Sequence, residues 1–189
     1  MSAHLPVPSA LCAVRYALCQ PVFFGCAVLA LAGCAQLAPY VPTPRPVVER
    51  MLELAAVTRD DVVYDLGSGD GRIVIAAAQK YGARGVGFEI DPELLQQARQ
   101  NARRARVDHL VEFRQQDLLT ATFSDATVVV LYLGPSANFR LRPKLQRELS
   151  AGARVLSHEY DMGSWEPDLR EEVTTSGGTR TIYLWRISR

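Results

Sequence analysis

The stretch Asp61-Val62-Val63-Tyr64-Asp65-Leu66-Gly67-Ser68-Gly69-Asp70-Gly71 leaves this chain few ways to fold. A short apolar run ends in an aspartate, three glycines follow at alternate positions, and Ile73-Val74-Ile75-Ala76-Ala77-Ala78 opens a helix. Glycines this dense favour neither strand nor helix, so the chain turns there. A continuously apolar strand feeding a helix is buried on both faces, as in a parallel sheet.

The rest of the sequence repeats the pattern. A leading helix is expected over residues 47–56, a strand over 62–66, a helix over 71–81 ended by Gly82, and a strand over 85–90. Asp91-Pro92 then starts a helix, aspartate as N-cap and proline in the first turn. Strands are expected at 110–113, 127–133 and 153–157, with Gly134-Pro135-Ser136 as a turn and a helix starting afresh at Pro143. Residues 173–175 and 181–187 read as a hairpin around Gly177-Gly178. Strand and helix alternate before the strands that close the chain. The fold class expected is α/β: a Rossmann-like open, mostly parallel seven-stranded sheet with helices on both faces and an antiparallel C-terminal hairpin.

The glycine turn also has a chemistry. A dinucleotide site has G-x-G-x-x-G spacing and accepts a pyrophosphate. Here the spacing is G-x-G-x-G, and Asp65 and Asp70 flank it; carboxylates repel phosphate. They suit a ligand with an ammonium group. Glu89 ends the next strand, about 20 residues on, where a ribose-binding carboxylate is expected. S-adenosylmethionine has both groups. A tight turn with no ligand is the alternative.

All four cysteines, Cys12, Cys19, Cys26 and Cys34, precede residue 39, which removes a disulfide, a cysteine-bound zinc and a cysteine nucleophile from the domain. His4, His109 and His158 have no metal-binding spacing, so no metal is expected. A net charge of +1 makes no global case for nucleic acid.

Residues 1–38 are an apolar segment with three readings. Leu31-Ala32-Gly33-Cys34 resembles the lipobox of bacterial lipoproteins, and the apolar run 22–32 has signal-peptide length. Residues 17–37 are alternatively long enough to span a membrane uncleaved. A mis-assigned start is the third. Membrane association is the expectation. Arg45 and Arg50 after the segment favour a cytosolic domain, whereas the lipobox favours export. Residues 39–46 (P-Y-V-P-T-P-R-P) read as an extended linker, and 47–189 as the domain.

Together these motifs resemble the class I S-adenosylmethionine-dependent methyltransferases. The nearest likeness is to the lysine methyltransferases acting on the adenine nucleotide translocase and the ATP synthase c-subunit, and their bacterial relatives. The matching text is Tyr40-Val41-Pro42, Asp65 to Arg72, Val86-Gly87-Phe88-Glu89, Leu133-Gly134-Pro135-Ser136 and Gly152 to Ser157. The resemblance implies that Asp65, Gly67, Ser68 and Gly69 hold the methionine part of the cofactor. It implies Glu89 on the ribose hydroxyls, Ile90 on the adenine face, and Asp117 with Leu118 at the adenine edge. Asp117 reads alternatively as a loop carboxylate or cap. The resemblance also implies that Tyr132 and Pro135 face the transferring methyl; Tyr132 alternatively packs in the core. His158 is a candidate base, or a structural histidine. Arg99, Arg103, Arg104 and Arg106 read as a solvated face, and Trp165 and Trp185 as packing residues. The expected activity is methyl transfer to a protein lysine by a monomer. The substrate expected is a protein, with a membrane protein as one candidate, and not nucleic acid. The alternatives are a small-molecule O- or N-methyltransferase and a non-catalytic exported lipoprotein of the same fold.

Overall fold

A computed structural model describes residues 40–188. The expectations for residues 1–39 lie outside the described residues. Eleven elements follow one another: α1 (Arg45–Leu54), β1 (Val62–Leu66), α2 (Arg72–Tyr81), β2 (Arg84–Glu89), α3 (Pro92–Arg104), β3 (Val111–Gln115), β4 (Val128–Leu131), α4 (Pro135–Glu148), β5 (Arg154–His158), β6 (Leu169–Thr175) and β7 (Gly178–Arg186). The strands form one seven-stranded sheet in the order β3-β2-β1-β4-β5-β7-β6. The first five strands are parallel; β7 runs antiparallel to β5, and β6 to β7. The strand order reverses between β1 and β4, and open α/β sheets bind ligands beyond the strand ends at that point.

Strand alternation sorts the core into two layers. Val63, Val128, Val130 and Leu156 pack with the buried faces of α1, α2 and α3. Tyr64, Leu66, Val129, Leu131 and Val155 pack with Leu141, Leu145 and Leu149. By the same alternation Asp65, Tyr132 and His158 point to the α1–α3 side, at the C-terminal ends of neighbouring strands.

Two local expectations change. The region ahead of the domain is not all linker, since α1 starts at Arg45 with Pro46 in its first turn. That position has no N–H to lose and suits the ring's fixed φ. The Gly134-Pro135-Ser136 turn and the later helix are one helix, α4, with Pro143 inside it. An interior proline gives up one main-chain hydrogen bond. Leu141 and Leu145, on either side of Pro143, are fully buried, and their packing outweighs the loss. The N-cap at Asp91 forms as expected, its carboxylate accepting from the Glu93 and Leu94 amides.

Candidate active site

The turn after β1 is shaped from above and below. At Gly67 (φ +84) a Cβ would sit 2.6 Å from the Leu133 side chain, and at Gly69 (φ +51) 2.3 Å from the Tyr40 ring. Both positions therefore need glycine for conformation and for space. The loop amides are used internally. Gly67 and Ser68 N–H donate to the Phe88 carbonyl, both at 2.9 Å, and Gly71 N–H donates to the Ser68 carbonyl at 2.8 Å. Gly69 N–H donates to Glu89 Oε2 at 2.9 Å. A glycine turn of this kind is expected to offer its amides to a ligand; here those of Gly67, Ser68 and Gly69 join β1 to β2, and that of Gly71 closes the turn. What remains facing the site is carboxylate, which is no place for a phosphate.

Asp65 is 3% exposed, and only burial and neighbouring charges, with no hydrogen bond, act on its carboxyl. Burial, reinforced by Asp70 and Glu89, pushes its pKa up to about 8, against the opposing pull of Arg72. An isolated buried carboxyl is costly unless a cation joins it. Asp70 differs: burial raises it, but a two-point contact from Arg72 at 2.9 and 2.7 Å holds it below the usual carboxylate range. Glu89 accepts from three main-chain amides: Gly69 on Oε2, and Ile90 (2.8 Å) and Asp91 (3.1 Å) on Oε1. A carboxylate has about four acceptor positions, so one is left. Ser68 Oγ is buried and unpartnered.

The segment ahead of α1 closes this side. Tyr40 lies on Gly69, its hydroxyl beside Asp70 and Arg72. The buried Thr43 receives Arg72 Nη1 on its carbonyl at 2.9 Å and sets its hydroxyl 3.4 Å from His158 Nδ1. A stretch whose composition reads as a spacer thus bridges the ends of β1 and β5.

Beyond the end of β2, Ile90 is half-buried. Asp117 is exposed and caps its own turn, Oδ1 accepting from the Leu119 amide at 2.9 Å. Leu118 is committed to the α4-side core with Phe88 and Phe123. The capping alternative for Asp117 is therefore realised, with one carboxylate oxygen left over.

Across the switch point the lining is aromatic. The half-buried Tyr132 has its ring centroid 4.0 Å from His158 and 6.1 Å from Tyr160, stacked on the latter. Its phenol is raised by burial and by Tyr160, so it stays protonated. Pro135 is exposed in the first turn of α4, after Gly134 at φ +110. His158 is 1% exposed, and burial with Arg180 lowers its pKa to about 4. At neutral pH it is an uncharged, weak base with an unpartnered Nε2.

Asn138 is a residue that sequence reasoning misses. It is fully buried in the first turn of α4, and Nδ2 donates at 3.1 Å to Ser157 Oγ and to the carbonyls of Tyr160 and Asp161. Its only sequence signal is an amide on the apolar face of a helix. Trp185 packs as expected, its indole N–H donating to the Trp165 carbonyl at 2.7 Å. No cluster of potential metal ligands occurs among the described residues.

Comparison with known proteins agrees with this geometry. The family model of the ANTKMT methyltransferase domain matches residues 65–169. The chain is 42% identical to a protein-lysine N-methyltransferase of Saccharolobus islandicus, over 79% of this chain and 93% of that one. It is 39% identical to the human lysine N-methyltransferase of the ATP synthase c-subunit, over 79% of this chain but only 62% of that longer protein. Among solved structures, an RNA methyltransferase from Salinibacter ruber bound to S-adenosylhomocysteine has 60% identity and a TM-score of 0.74, covering 79% of this chain and 95% of that one. The glycine turn, the buried unpaired Asp65 and these relatives agree: the chain belongs to the ANTKMT methyltransferase domain family and is an S-adenosylmethionine-dependent methyltransferase.

Proposed function

We propose that this enzyme methylates the side-chain amine of a protein lysine. The observation that carries the reading is the juxtaposition at the switch point. A buried carboxyl suited to an ammonium-bearing cofactor lies on one side, and the clustered rings of Tyr132, His158 and Tyr160 lie on the other. The cofactor supplies an electrophilic methyl group. Asp65 pairs with its ammonium end, Glu89 offers its remaining acceptor position to the ribose, and Ile90 covers the adenine. Gly67, Ser68 and Gly69 give the room, and the free oxygen of Asp117, beside Leu118, accepts from the adenine amino group. Tyr132 and the Gly134-Pro135 turn border the acceptor. In-line displacement asks chiefly for alignment, which contributes several kcal/mol. The acceptor also has to shed a proton from a group of pKa about 10.4, and loss of water as the amine advances from the rings toward the methyl group lowers that value.

The named relatives that methylate lysine support the acceptor class. The Salinibacter ruber protein favours a second reading, an RNA acceptor. Against it, the chain has a net charge of only +1. Membrane attachment through residues 1–38, by lipidation at Cys34 or by an uncleaved span, fits a substrate in the same bilayer, because tethering raises local concentration. With an uncleaved span the domain acts as a monomer from the cytosolic side, whereas lipidation at Cys34 goes with export.

Incubating the full chain with methyl-labelled S-adenosylmethionine and fractionated cell extract tests this. Label in protease-sensitive material that hydrolyses to methyl-lysine is the expected result. Label lost to ribonuclease instead would establish the RNA reading.

A further inference from the structure

We propose that the faces of Tyr132 and Tyr160 form the recess that receives the acceptor's ammonium group, with Tyr160 as its specificity-determining residue. This rests on the lysine reading above. Tyr160 is 37% exposed, yet it is fixed more firmly than an exposed aromatic needs to be. Its amide donates to the His158 carbonyl at 2.9 Å, closing a three-residue turn. The central residue of that turn, Glu159, has φ +68. A γ-turn with positive φ is rare and strained, and a non-glycine residue there costs about 1–3 kcal/mol. The other two non-glycine residues with positive φ among the described residues, Ala56 and Arg106, lie just after helices, where this conformation is ordinary. Asn138 then holds the Tyr160 carbonyl, and the ring stacks on Tyr132. Such fixation orients a ring that packing alone would bury.

The recess has the chemistry of an ammonium site. The cation–π contacts among the described residues involve Tyr81, Phe88, Phe123 and Tyr183 and none involves Tyr132 or Tyr160; Arg180, near enough to act on the Tyr132 phenol, is paired with Glu159. Aromatic faces attract ammonium groups, methylated ones included. The nearby Glu159 is already engaged with Arg180 at 3.4 Å. Recognition therefore falls to the rings rather than to an ion pair. The next residue after Tyr132, Leu133, touches Gly67, so the recess adjoins the cofactor turn.

The test uses the full chain saturated with S-adenosylhomocysteine. Tetramethylammonium is titrated into wild type, Tyr160→Phe and Tyr160→Leu, with NMR as the readout. The expected result is saturable binding that Phe preserves within about twofold and Leu weakens about tenfold or more. The KM for a lysine acceptor follows the same order, and S-adenosylmethionine affinity stays within about twofold in all three, which also certifies folding. Tyr160→Ile takes the place of a leucine variant that fails that check. No saturable binding by wild type, or equal binding by the Leu variant, would overturn the proposal. A wild-type enzyme that methylates no lysine sinks the acceptor reading, while the ammonium titration still decides the recess.

Discussion

The two ends of the sheet that meet at the switch point are built from different materials. Beyond β1 and β2 the site is main chain and carboxylate: a glycine turn whose amides are spent on Phe88 and Glu89, with Asp65 left unpaired behind it. Beyond β4 and β5 it is rings and one amide: Tyr132 between His158 and Tyr160, with Asn138 bracing the loop from the other face of the sheet. The first side is electrostatic, and its chemistry depends on protonation. The second is shaped by packing and backbone strain. Changes on one side should therefore alter cofactor binding, and changes on the other acceptor use.

The largest separation is expected from Glu89→Ala. It frees the Gly69, Ile90 and Asp91 amides together, and S-adenosylmethionine affinity by calorimetry falls at least about 100-fold, as loss of a charged, multiply bonded group implies. The next is a pH effect. Asp65 has a pKa of about 8 in the cofactor-free protein, and an ammonium ligand binds its ionised form. Affinity therefore rises as pH climbs from 6 to 8, by up to about tenfold per unit, and Asp65→Asn binds weakly with a flat profile. The sign reverses for stability. A carboxyl raised above its unfolded value binds more protons folded than unfolded, so the cofactor-free protein loses stability as pH rises from about 4 to about 8. Asp65→Asn should thus melt higher than wild type at pH 8, measurable by calorimetric scanning.

On the aromatic side, Asn138→Ala leaves the Tyr160 and Asp161 carbonyls without their donor. A loss of about 2 kcal/mol in denaturant unfolding is expected, with a raised KM for the acceptor and an unchanged cofactor affinity. An equal loss of cofactor affinity would break the division between the two sides. The smallest effect sits at their junction. Tyr40 covers Gly69 but is itself 41% exposed, so Tyr40→Ala should weaken cofactor binding only about fivefold, a fraction of a fully buried ring's worth.

The same division governs what is legible in the sequence. Asp65, the glycines and Glu89 act through local chain geometry, and strand, turn and helix periodicity place them within one βαβ unit. The strands and the capped start of α3 are legible for the same reason. The recess is not, because Tyr132 and Tyr160 are brought together by a parallel pairing and a strained turn that no local pattern encodes. Asn138 is hidden in a helix that Pro143 makes look like two. Tyr40 and Thr43 are masked by a proline-rich composition that reads as a spacer, although prolines equally fix a segment meant to lie still against a surface.

That last segment carries a mechanical consequence. Tyr40 and Thr43 seat the chain on the rim of the glycine turn and on the end of β5. An extended residue spans only about 3.5 Å, so residues 40–43 are drawn close to taut between the two. Whatever lifts this short stretch uncovers Gly69 and releases His158 in one movement, and neither half of the site can be disturbed there without the other.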